Sequence, residues 1–296
     1  MDNSFRIEFE TPDLPELTRN NTVVDLHFHS RHSDGANTIP EIADQARALG
    51  IGVAMTDHND IQGAVEMDAY PDVLSIPGIE VTAREGSHLL IYFYRLADLE
   101  KFYLWDIAPH MGSDLMSSID LEMEEIIRRA RRFETVIIFP HPYSAAYTGV
   151  CNLQFSMERR SELFAMVDGV EGINSENLKK WNLQCAVLGL NLSKAITGGS
   201  DGHTLHQLGK VVNFAPCAPT RRAFLDAVKK GETRVIGKEG NLFCKVRSNG
   251  MKLKTSIKHY PDLMGKNLRY GCIMIHSKSR EIKNAINGTI RAFQNR

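Results

Sequence analysis

No two of the five cysteines in this 296-residue chain form a CxxC pair. Cys151, Cys185, Cys217, Cys244 and Cys272 are scattered and read as reduced structural thiols of a cytosolic protein, so a cytoplasmic location is expected. No run of about 18 apolar residues occurs, which predicts no membrane span. The first sixteen residues, MDNSFRIEFETPDLPE, are acidic and lack an apolar core, so no signal peptide is expected. Internal repeats and low-complexity tracts are missing as well. No Ser or Cys is read as standing in an activating context, so a protein nucleophile is not expected. What is there is ordinary globular composition, 43% hydrophobic and 24% charged, which excludes disorder, collagen-like repeats and coiled coil.

The net charge of −1 conceals a division. From Arg221 to Arg296 there are 18 Lys and Arg against 5 Asp and Glu, whereas the first 220 residues hold 17 against 31. A basic segment behind an acidic body is either a solvated or docked tail or a surface for an anionic partner, nucleic acid among them.

Runs with strand character recur at Thr22–Leu26, Gly52–Thr56, Val73–Ile79, Leu89–Tyr94, Thr135–Phe139, Val167–Ile173, Lys194–Thr197 and Lys210–Phe214. Most are β-branched and alternate little, as strands buried on both faces do. Helical patterns lie between them. Thr38, Pro40 and Glu41 signal a capped start for a helix that Gly50 ends. Others are expected over Asp114–Arg132, Met157–Met166, Asn177–Leu188 and Thr220–Lys230. Such alternation predicts an α/β domain with a parallel sheet, closed into a TIM-like barrel. The expected boundaries are a barrel over 1–237 and a small basic extension, of no assigned fold, over 238–296. In that extension Ile282, Ile286, Ile290 and Phe293 follow the spacing of an amphipathic helix.

The chemistry signal is where the polar residues fall. The first main strand ends in Asp25-Leu26-His27-Phe28-His29, and two histidines at i and i+2 of an extended segment point the same way. Ser33-Asp34-Gly35 returns a carboxylate to that spot. Later strands run into Thr56-Asp57-His58-Asn59, Gly78-Ile79-Glu80, Pro140-His141-Pro142 and Gly198-Gly199-Ser200-Asp201-Gly202-His203. In a parallel barrel these ends converge on one face. His88 opens a strand, so it joins them only if Arg84–Ser87 turns a hairpin. Any one motif also has a structural explanation, such as a satisfied strand-end histidine or a turn cap. Six histidines and three carboxylates at successive strand ends do not. Nine N/O ligands without thiolate suit Mn²⁺, Fe²⁺ or Zn²⁺.

DLHFHSRHSDG, TDHN, GIE, FPHP and GSDGH together resemble the PHP (polymerase and histidinol phosphatase) family of metal-dependent phosphoesterases, over roughly residues 22–235. The resemblance implies a distorted seven-stranded (β/α) barrel holding up to three divalent ions. It assigns His27, His29, Glu80 and Asp201 to the first ion. Asp34 and His58 take the second, with Glu80 bridging, and His88, His141 and His203 take the third. Asp34, where some members have histidine, is similar to the branch of nucleoside bisphosphatases and 5′–3′ exonucleases.

The expected activity is hydrolysis of a small phosphomonoester or nucleotide by water activated at a trinuclear centre. His58 or His203 is the candidate proton donor to the leaving alkoxide. Arg84, four residues after Glu80, is the candidate phosphate fork. Arg31, Tyr143, Ser144 and Asn174 flank the expected rim. Asp25 and Asp57 either orient ligand histidines or cap the backbone. Two other readings are a 5′–3′ exonuclease or RNase, which would give the basic extension a polynucleotide partner, and a non-catalytic binding module.

Overall fold

The computed structural model describes residues 6–144 and 149–240. Ten strands occur among them: β1 (Ile7–Glu8), β2 (Thr22–Phe28), β3 (Gly52–Met55), β4 (Ser75–Thr82), β5 (His88–Phe93), β6 (Thr135–Phe139), β7 (Gly169–Asn174), β8 (Ala195–Gly199), β9 (Val211–Ala215) and β10 (Arg234–Gly237). The helices are α1 (Leu14–Leu17), α2 (Ile39–Leu49), α3 (Gln62–Met67), α4 (Leu96–Phe102), α5 (Met123–Ala130), α6 (Met157–Met166), α7 (Lys179–Asn191) and α8 (Arg221–Lys230). The strands form one sheet in the order β1-β10-β9-β2-β3-β4-β5-β6-β7-β8.

That sheet curls until its last strand meets its middle. A bridge joins Phe28 to Gly202, just past β8. The Asn213 side chain on β9 accepts from Gly198 N at 2.9 Å and donates to Gly198 O at 2.6 Å. The result is a nearly closed, barrel-shaped sheet of ten strands, in which the seven from β2 to β8 run between the two ends that the Phe28–Gly202 bridge joins. The sheet is also mixed. β5 runs antiparallel to both β4 and β6, and β9 runs antiparallel to β2 and β10. The cause is connection length: only Ala83–Ser87 separates β4 from β5, too short for a parallel crossover. Gly86, at φ +82°, makes the tight turn.

Every residue of β2 to β9 is buried, which accounts for their near-continuous apolar runs. Phe28, Phe93, Phe102, Phe139 and Phe224 are among the largest fully buried side chains. α2 starts on a complete capping box between Thr38 and Glu41 and ends on left-handed Gly50. Thr38→Ala is therefore expected to cost about 1 kcal/mol of stability, readable as a lower urea midpoint. α5 is shorter than the expected Asp114–Arg132 helix. Asp114 caps a local turn through Met116 N and the Ser117 hydroxyl, and Asn59 Nδ2 donates to the carbonyls of Leu115 and Ser117. No helix among the described residues is long and apolar enough to cross a membrane. The basic extension and its Ile282–Phe293 stripe lie outside the described residues.

Candidate metal centre

The nine expected ligands come together at one end of the barrel. His27 lies in β2 and His29 just after it, Asp34 in the following loop, and His58 after β3. Glu80 and His88 face one another across the β4–β5 hairpin, whose register pairs Thr82 with His88 and Glu80 with Leu90. His141 follows β6, and Asp201 and His203 follow β8. His88 thus reaches the site by the hairpin route its position at a strand start demanded.

Glu80 is the centre. Its Oε2 lies 3.5 Å from His27 Nε2, 3.5 Å from His29 Nε2 and 3.0 Å from His58 Nδ1. Its Oε1 lies 2.8 Å from His88 Nδ1 and 3.4 Å from His141 Nε2. Asp201 Oδ1 sits 3.1 Å from His29 Nε2 and 3.6 Å from His27 Nε2. Asp34 Oδ1 sits 3.0 Å from His203 Nε2, 3.8 Å from His29 Nδ1 and 3.9 Å from His58 Nε2. A tetrahedral ion with bonds of about 2.1 Å spaces its ligand atoms about 3.4 Å apart, so the separations suit shared ions. The donor atoms fall into the groups His27–His29–Asp201, His29–Asp34–His203, His29–His58–Glu80 and Glu80–His88–His141. His203 therefore stands with Asp34, not with His88 and His141 as the resemblance assigned it.

The donors themselves ask for a cation. His27 Nε2, His29 Nδ1, Glu80 Oε2 and His203 Nε2 are buried without a hydrogen-bond partner, an arrangement that is costly unless something positive sits among them. Burial would raise the Glu80 carboxyl, but His88, His58 and His27 outweigh it and hold the group well below the usual carboxylate range. His29 is pushed down to about 3 by burial and then by His203 and His58, which keeps it a neutral donor. Burial opposes a proton on His27 too, yet Asp201, Glu80 and Glu171 overcome it and raise that group. His141 (φ +31°) and Asp201 (φ +48°) both adopt left-handed backbone, strain of the kind found where side chains must be aimed.

Asp25 faces backbone N–H groups and Asp57 faces the loop after β2, rather than the imidazoles. Asp25 accepts from the N–H groups of Ser200, Gly209 and His27, and burial pushes its carboxyl up to about 6. Asp57 accepts from Ser30 N, the Ser30 hydroxyl and the Ser33 hydroxyl, shaping the loop that carries Asp34. Arg84 does not present an open fork. Its guanidinium engages Asp120 at 2.9–3.0 Å and Glu122 at 3.3 Å, tying the hairpin turn to the start of α5.

Sequence reasoning missed Glu171, a fully buried carboxylate in β7 whose Oε1 lies 3.0 Å from His27 Nδ1. The available signal was a charged residue in the middle of an otherwise apolar strand. His203 is fixed differently, with Nδ1 2.7 Å from the Asp201 carbonyl and Nε2 toward Asp34.

This fold and this cluster define a barrel whose His, Asp and Glu groups could hold metal, and comparison places it. Residues 25–138 match the PHP domain and residues 180–233 the PHP-associated segment. The chain thus carries a PHP domain and, after it, a PHP-associated segment. It is 44% identical over 69 residues to the 3′,5′-nucleoside bisphosphate phosphatase of Chromobacterium violaceum, a stretch covering 22% of this chain and 24% of that relative. The chain thus matches about a quarter of that relative's length. Two solved structures share the fold. One is a two-domain protein from Bacteroides vulgatus containing a predicted PHP-like metal-dependent phosphoesterase (TM-score 0.56, 18% identity, 83% of this chain and 73% of that one). The other is the lesion-specific endonuclease PfuEndoQ from Pyrococcus furiosus (TM-score 0.59, 20% identity, 73% of this chain and 57% of that one).

Proposed function

We propose that this protein is a metal-dependent phosphoesterase that removes phosphate from a small phosphomonoester or nucleotide. The observation that carries the reading is the convergence of six histidines and three carboxylates, with His27 Nε2, His29 Nδ1 and His203 Nε2 buried among the carboxylates without a hydrogen bond. The bisphosphate phosphatase relative supports the substrate class. Three ions are proposed: one held by His27, His29, Glu80 and Asp201, one by Asp34, His58 and His203, and one by Glu80, His88 and His141. N/O donors of this kind suit Mn²⁺, Fe²⁺ or Zn²⁺. Bound there, such ions lower the pKa of water and stabilise charge on phosphoryl oxygens.

The chain's own residues supply the rest. The carboxylates hold the imidazoles in place, and Asp57 with Ser30 and Ser33 fixes the loop that brings Asp34 in. Of the two histidines proposed to pass a proton to the leaving alkoxide, His58 is the better placed. Its side chain is 11% exposed and that of His203 only 1%. Arg84 is not needed in this scheme, because its fork already serves Asp120 and Glu122.

The test is phosphate release with Mn²⁺ from nucleoside monophosphates, 3′,5′-bisphosphates, sugar phosphates, histidinol phosphate and a 5′-phosphorylated pentanucleotide, with Asp201→Ala as control. Preference for one small ester, lost in the variant, is the expected result. Stepwise shortening of the pentanucleotide would move the activity to an exonuclease or RNase. That second reading has one observation of its own. Residues 241–296 carry 12 Lys and Arg against 2 Asp and Glu, and Gly240, just before them, bonds Ser175 O beside Asn174 at the metal end of the barrel. Silence on every substrate would favour a non-catalytic binding module.

A further inference from the structure

We propose that Glu171 is a positioning residue that orients ligands of two ions at once, so that its loss weakens both while leaving the ion of Asp34, His58 and His203 in place. The inference rests on the metal-centre reading above and concerns a residue that is not itself among the donors.

Three hydrogen-bond donors converge on this one carboxylate. Oε1 lies 3.0 Å from His27 Nδ1, while Oε2 accepts from His141 N at 2.9 Å and from Asn174 Nδ2 at 2.9 Å. Asn174 Nδ2 also donates to Asp201 Oδ2 at 3.2 Å. Glu171 therefore touches His27 directly, Asp201 through Asn174, and the strained backbone of His141 on the far side. Its side chain is 1% exposed, so no water substitutes for it. By holding the Nδ1 side of His27 it leaves Nε2 facing Glu80 and Asp201.

The fold is shaped to allow this reach. β7 has one extra residue between Glu171 and Ile173 relative to β8, and β2 has one between Asp25 and Phe28 relative to β3. Such bulges re-aim side chains beside sites. Between the two strands stands Gly199, where a Cβ would fall 2.2 Å from His27 Cβ and 2.8 Å from Glu171 Oε1. Its missing side chain is the space in which the two meet.

Only a carboxylate serves all three donors. A glutamine offers one oxygen and one amide, and in either orientation the amide opposes an N–H. In Glu171→Gln, Mn²⁺ titration into metal-free protein is expected to show affinity 10- to 100-fold weaker at two classes of site and unchanged at the third. In the Zn²⁺-loaded protein, ¹⁵N NMR is expected to lose the protected Nδ1–H signal of His27. A second variant, Asn174→Ala, removes the amide that joins Glu171 to Asp201, and its acceptor for Glu176 N, but leaves the contacts of Glu171 with His27 and His141, and is expected to weaken one class alone. Equal Mn²⁺ affinities and an unchanged His27 signal in Glu171→Gln would overturn the role of Glu171. A uniform loss at all three classes, with a matching fall in metal-free melting temperature, would reduce it to a structural residue and also overturn the proposal. Failure of the wild-type protein to take up Mn²⁺ would overturn the metal-centre reading itself.

Discussion

Glu80→Gln is expected to lower phosphate release from the best substrate at least about a thousandfold and to strip the purified protein of most of its metal. The reason is that both oxygens are in use. Oε2 faces His27, His29 and His58, and Oε1 faces His88 and His141, all within 3.5 Å. Glutamine keeps one oxygen and turns an amide donor toward the other group of imidazoles, where an acceptor or a cation belongs. It also removes the negative charge on which the proposed bridging depends. The loss corresponds to several kcal/mol of charge stabilisation, at about 1.4 kcal/mol per tenfold in rate. Kinetics alone do not separate misfolding from a damaged site, so metal content and circular dichroism accompany them. A variant that is folded, metal-replete and close to wild type in turnover would remove Glu80 from the centre of the mechanism.

Much of the candidate site was legible because each of the residues that could hold metal sits in a local motif at the end of a strand. His27 and His29 form an i, i+2 pair, His58 follows Asp57, and Asp201 and His203 share GSDGH. Eight of the ten strands were readable from buried β-branched runs. The two that were not, β1 and β10, are short, of two and four residues, and lie together at one end of the sheet. Strand direction was less accessible, since β5 is antiparallel only because five residues connect it to β4. Partnership was least accessible of all. Nothing local to His203 says whether it faces Asp34 or His88, and that choice is made by the Asp201 carbonyl holding Nδ1. Arg84 shows the same limit: its distance in sequence from Glu80 suggested the mouth, but Asp120 and Glu122 lie 36 and 38 residues further on. The reach of Glu171 to His27 spans 144 residues and depends on two bulges and a glycine.

Removal of divalent ions is expected to produce the largest change in stability. An ion at a thousand times its dissociation constant stabilises the folded state by about 4 kcal/mol, provided the unfolded chain does not bind it. In a domain of this size each kcal/mol moves the midpoint by roughly 2–4 °C, so even one saturated ion is expected to raise the melting temperature by about 8 °C or more. The metal-free cluster has its own cost, because His27 Nε2, His29 Nδ1, Glu80 Oε2 and His203 Nε2 are buried without partners. Calorimetry of the chelator-treated protein, before and after Mn²⁺ is restored, measures the shift. Asp34→Ala is expected to abolish the share of the shift due to the ion proposed at Asp34, His58 and His203, and to leave the remainder. That partial loss is the informative part. A cluster held together only by hydrogen bonds and ion pairs predicts the same melting temperature with and without Mn²⁺, and Asp34→Ala would then shift both curves by the same amount.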